Sequence, residues 1–124
     1  MKRLIGFLIA FIIISSVASA HNVVLTWTPS ADGASNPTSG YNVLRGTASG
    51  GESSTPINSA VVAVGCTSAT NCTYTDSSSA VVAGATLYYE VTFVLGSTSS
   101  APSNEAKAGP VPVAAPSGLT ATAN

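Results

Sequence analysis

From residue 22 onward, apolar and polar residues alternate in short runs separated by turn-forming residues. Asn22 to Thr28 places Val23, Leu25 and Trp27 at alternate positions, and Gly40 to Arg45 does the same with Tyr41 and Val43. The clearest run comes later, where Leu87, Tyr89, Val91 and Phe93 form one stripe and Tyr88, Glu90 and Thr92 the opposite one. A period of two is that of an extended strand with one buried face. Weaker runs cover Ile57 to Val64 and Cys72 to Thr75, and Asn104 to Ala108 makes a last short strand. Between them lie loops rich in Gly, Pro, Ser, Asn and Asp, including Pro29 to Gly40, the residues that supply turn geometry. No stretch shows helical periodicity. Six or seven short strands at this spacing predict an all-β antiparallel sandwich. Its expected core is Trp27, Tyr41, Val43, Leu87, Tyr89, Val91 and Phe93, large side chains that each contribute about 1.5–3 kcal/mol on full burial.

The first twenty residues follow another pattern. Met1-Lys2-Arg3 precedes an apolar run from Leu4 to Ile14, and Ser15 to Ala20 closes on Ala18-Ser19-Ala20. A charged start, a short apolar stretch and an Ala-x-Ala end predict a signal peptide over 1–20, cleaved after Ala20. A membrane span needs about 20 apolar residues, more than this run contains. The expected product is secreted, to the extracellular space, cell surface or periplasm, with no membrane span after cleavage. It begins at His21 and is long enough for one domain.

Composition then narrows the function. Removing Lys2 and Arg3 leaves the cations Arg45 and Lys107 against Asp32, Glu52, Asp76, Glu90 and Glu105, so the net charge moves from −1 to −3. Two cations make no basic patch for a phosphate backbone or an anionic lipid, so nucleic acid is not an expected partner. Cys66 and Cys72 are the two cysteines. In an oxidising compartment they are expected to form a disulfide, a loop staple contributing about 2 kcal/mol at most.

Five motifs, in order, resemble bacterial fibronectin type III domains: V-L-T-W-T-P-S, G-Y-N-V-L-R-G-T, Y-T-D, A-G-A-T-L-Y-Y-E-V-T-F-V and S-A-P-S-N-E-A. The resemblance covers about Asn22 to Ala108 and implies an immunoglobulin-like sandwich over 21–109. It implies Trp27 on strand B, Tyr41 and Val43 on strand C, Leu87 to Val94 on strand F, and Asp76 as a turn residue. The chain departs from the family in two places. The Tyr that pins the E–F corner is replaced by Leu87, with Tyr88 and Tyr89 following. Strand A, written P-x-x-L-x-A-T, is missing ahead of Trp27, while residues 110–124 combine a Pro/Ala linker with Ala115-Pro116-Ser117-Gly118-Leu119-Thr120-Ala121-Thr122-Ala123-Asn124. That tail resembles a strand A placed at the other end. Such a strand could close its own domain, join a neighbouring copy by self-association, or begin a further domain.

Candidate chemistry is sparse. His21 would become the N-terminus on cleavage, but as the sole histidine it forms no histidine brace and no Ser–His–Asp set. No phosphate loop or calcium motif is present, and no catalytic residue, metal ligand or cofactor is assigned. Asn71-Cys72-Thr73 matches a glycosylation sequon, and Tyr88 is an outward aromatic. The expected function is a non-enzymatic module for adhesion or protein interaction, with a cell-surface protein or polysaccharide as partner. The alternatives are a carbohydrate-binding accessory module and a strand-exchanging subunit of an extracellular assembly.

Overall fold

The computed structural model describes residues 21–36, 39–63, 71–113 and 121. The predicted signal peptide, Cys66 and most of the strand-like tail therefore lie outside the described residues. Among the described residues, seven strands and one short helix follow in the order β1 (Val23–Trp27), α1 (Ala31–Ser35), β2 (Gly40–Gly46), β3 (Val62–Ala63), β4 (Cys72–Asp76), β5 (Leu87–Leu95), β6 (Thr98–Ser99) and β7 (Ala106–Ala108). Among the described residues the regular elements are strands apart from one five-residue helix, and every pairing is antiparallel. β1 pairs with β4 in a two-stranded sheet, and β3, β2 and β5 form a second sheet in which β5 also pairs with β6 and β7.

Register decides which side chains meet. Val43 lies opposite Val91 and Arg45 opposite Tyr89 on β2 and β5, while Leu25 lies opposite Tyr74 on β1 and β4. One apolar cluster draws on both sheets, with Leu25 from β1, Val43 from β2, Leu87 and Tyr89 from β5, and Val81 and Val111 from loops. Val111 is fixed there by two backbone hydrogen bonds, donating to Ala85 O at 2.8 Å and accepting from Gly84 N at 2.9 Å. Its approach depends on Gly109, whose φ is +118° and where a Cβ would lie 2.5 Å from Ala85 O.

Three local features depart from the strand-and-loop reading of the sequence. The segment after Pro29 contains a one-turn helix, α1, rather than loop throughout. Ser30 caps it, its Oγ accepting from Gly33 N at 3.1 Å, and the Tyr41 hydroxyl accepts from Ser30 N at 3.1 Å. Five residues are too few to show a helical period.

The weak run from Ile57 yields only Val62–Ala63 as strand, and Val64 lies outside the described residues. Asn58 takes over part of the ladder beside β2, accepting from Val43 N at 2.7 Å and donating to Tyr41 O at 3.0 Å. The last predicted strand begins at Ala106 rather than Asn104. Pro102 lacks a backbone donor. The chain from Ser100 to Ala106 instead bulges along β5, where Ser100 and Ser103 each accept a β5 amide on Oγ, from Phe93 N at 2.9 Å and Val91 N at 3.0 Å.

Candidate functional site

Opposite ends of the interior are closed by different chemistry. At one end, β1 contributes Trp27, β2 Tyr41 and β5 Phe93. The Trp27 and Tyr41 ring centres are 5.4 Å apart at 70°, and those of Tyr41 and Phe93 5.4 Å apart at 54°. Cys72 is buried against this group. Tyr41, Phe93, Val43, Leu87 and Tyr89 are all buried, whereas Trp27 and Val91 are half-buried. Tyr88 is half-buried on the other face of β5, paired with Gly46 and Lys107.

At the other end lies a buried polar group. Asp76, expected as a turn residue, closes β4 with only 2% of its surface exposed. Its carboxylate crosses to the five-stranded sheet, where Oδ2 accepts from Arg45 Nη1 at 2.6 Å and from the Tyr89 hydroxyl at 2.9 Å. Oδ1 accepts from Ser78 N at 3.0 Å. A buried charge is tolerated only when it is paired and hydrogen-bonded, and these three contacts meet that need. Burial pushes the Asp76 carboxyl up, but the hydrogen bonds from Arg45, Ser78 and Tyr89 outweigh it and hold it below the usual aspartate value. Burial, then the adjacent Asp76, push the Tyr89 hydroxyl far above the usual tyrosine value. The network joins the two sheets.

The surface feature that stands out is a groove along β1. Among the described residues β1 pairs on one side only, with β4. Its other edge borders a cleft of about 300 Å³, walled by all five β1 residues and by Ser103, Asn104 and Ala106 to Ala108. Inward and outward residues of β1 alike line it, as happens only when the strand presents its edge. A second cleft of about 420 Å³ continues past Trp27 and Thr28, with Phe93 and Tyr41 in its wall. The two share Thr26, Trp27, Val91, Ser103 and Asn104.

Ala106 shows how open this groove is. It pairs directly with Tyr89, so the two share a face of the sheet. Yet Tyr89 is 1% exposed and Ala106 is exposed. Tyr89 lies beneath the opposing sheet, while nothing among the described residues covers Ala106.

Among the described residues, no group of three or more His, Cys, Asp or Glu side chains is placed to hold a metal, and no helix is long and apolar enough to cross a membrane. The Asp76 network was not legible in the sequence, because Asp, Arg and Tyr come from three separated strands. No family model matches the chain, nor does any curated protein or solved structure.

Proposed function

We propose that this chain is a secreted, non-enzymatic module with a fibronectin type III-like β-sandwich fold, and that it makes protein contacts at the cell surface by accepting an extended segment along β1. The observation that carries this reading is the open β1 edge beside a groove with Tyr89 and Val91 in its wall. Unpaired strand edges attract further strands, and strand addition draws affinity from backbone hydrogen bonds and specificity from alternate side-chain sites. The sandwich reading is supported by two antiparallel sheets that share one apolar cluster. It is also supported by the pairing of the Trp27 strand with β4 and of the Tyr41 strand with β5. A polysaccharide platform finds less support. The exposed large apolar side chains among the described residues are Val24, Val61, Val82, Leu95 and Val113, none of them aromatic.

The test is site-specific cross-linking in the secreting cells. A photoreactive residue at position 106, inside the groove, is expected to give discrete protein adducts. The same residue at position 82, an exposed loop site outside the clefts, is expected to give none. Equal labelling from both positions, or none from 106, contradicts the reading.

A further inference from the structure

We infer that the segment taken up along β1 is Leu119 to Ala123 of a second copy of this chain. The inference rests on the proposed contact edge and names its occupant.

Four observations point to it. Leu119, Ala121 and Ala123 alternate with Thr120 and Thr122, a strand pattern with one apolar and one polar face. These five residues match the five of β1, Val23–Trp27. Their side chains are small apart from Leu119, which suits a narrow cleft, and the segment from Gly109 to Asn124 carries no charged side chain to desolvate.

Direction of entry is the third observation. Val111 is held at the Ala85 corner and packs in the cluster against which Val23, the first residue of β1, is also packed. A chain entering its own groove directly at the Val23 end would run parallel to β1, whereas every strand pair among the described residues is antiparallel. A second copy can approach from the Trp27 end and pair antiparallel. The fourth is Ala121 itself, which is exposed and belongs to no strand; in its own groove it would be an inward residue.

Such an exchange uses different surfaces on the two copies, so it either closes reciprocally as a dimer or propagates head to tail. Two substitutions separate groove from tail. Ala106→Arg puts a long side chain into the groove at an exposed position, and Leu119→Asp puts a charge on the strand's apolar face. Asn104→Trp is a second groove-filling variant, also at an exposed position, and circular dichroism melts confirm that each variant is folded.

The experiment is light scattering on the signal-cleaved chain and its variants across a range of concentrations. Wild type is expected at the mass of two or more chains, and each variant alone at the mass of one. An equimolar mixture of Ala106→Arg and Leu119→Asp is expected to restore a one-to-one pair, because one supplies an intact tail and the other an intact groove. Three outcomes overturn the inference: a monomeric wild type, assembly unaffected by either substitution, or a mixture that stays monomeric. A monomeric wild type whose Leu119→Asp variant loses protection along β1 would assign the groove to the chain's own tail. A monomeric wild type that still cross-links from position 106 to a different protein would leave the proposed contact edge standing and reject only this occupant.

Discussion

The Tyr89 hydroxyl reaches across the interior to Asp76, donating a 2.9 Å hydrogen bond from the five-stranded sheet to the two-stranded one. The same carboxylate oxygen accepts from Arg45, the residue paired with Tyr89 on the neighbouring strand. Removing one member therefore does more than delete a contact. Tyr89→Phe is expected to lower stability by about 1.5–3 kcal/mol, the range for a hydrogen bond to a charged group. Asp76→Ala strands both Arg45 and the Tyr89 hydroxyl, and removing one partner of a buried ion pair costs about 3–5 kcal/mol. The lower end applies here because a fifth of the Arg45 side chain is exposed. Urea denaturation of both variants checks the order; equal effects would mean that Arg45 contributes nothing.

The network also sets a pH dependence. The folded-state value of Asp76 is depressed, so its contribution is fully present above the unfolded-state value of about 3.9. It is lost as pH falls from there through the folded-state value. Tyr89 shifts the other way. Its contribution is complete below the unfolded-state value of about 10 and lost as pH rises from there through the folded-state value. Melting temperature measured from pH 2 to 11 is expected to be flat in the middle and to fall at both ends. In Asp76→Asn the acid fall is expected to be shallower; an unchanged acid limb would show that other carboxylates control it.

Gly33 sets packing against propensity. Alanine is favoured over glycine inside a helix by about 1 kcal/mol, so α1 considered alone predicts that Gly33→Ala stabilises. A Cβ there would overlap the hydroxyl oxygen of Tyr41, whose ring is buried between Trp27 and Phe93. Overpacking costs about 1–3 kcal/mol and is expected to win. A thermal melt decides the sign. In the Tyr41→Phe background, where the hydroxyl is gone, the penalty is expected to shrink.

The cysteine pairing expected from the sequence makes a separate prediction. Cys72 is 2% exposed, and Cys66 lies outside the described residues. If the two are joined, the chain reacts with no thiol reagent even when denatured, and releases two thiols after reduction. Reduction is expected to cost about 2 kcal/mol at most, because the closed loop is short. Thiol labelling of the denatured, unreduced chain would contradict the pairing.

What the sequence revealed depended on whether the information was local. The Leu87 to Phe93 alternation is a local pattern, and β5 spans Leu87–Leu95. The antiparallel strand-rich architecture was legible for the same reason. α1 was not, since its single turn is set by the Ser30 cap and by Tyr41 arriving from β2. Asp76 reads locally as part of a turn, and only the pairing of β4 with β1 turns it inward toward Arg45 and Tyr89. The shortened strand after Ile57 has a similar origin, because the Asn58 side chain occupies backbone sites on β2. The groove along β1 was not legible in this way, because it required the bulged segment from Ser100 to Ala106.

The central claim is that the β1 edge with no partner among the described residues takes up an extended segment. Amide hydrogen exchange at Val23 to Trp27 tests it most directly, comparing the chain from His21 onward with its Ala106→Arg variant under conditions where the wild type is associated. The amides directed toward β4 are already paired and are expected to exchange slowly in both. Those directed into the groove are expected to be protected in the wild type and to exchange rapidly in the variant. Equally rapid exchange of the groove-facing amides in both proteins would contradict the account.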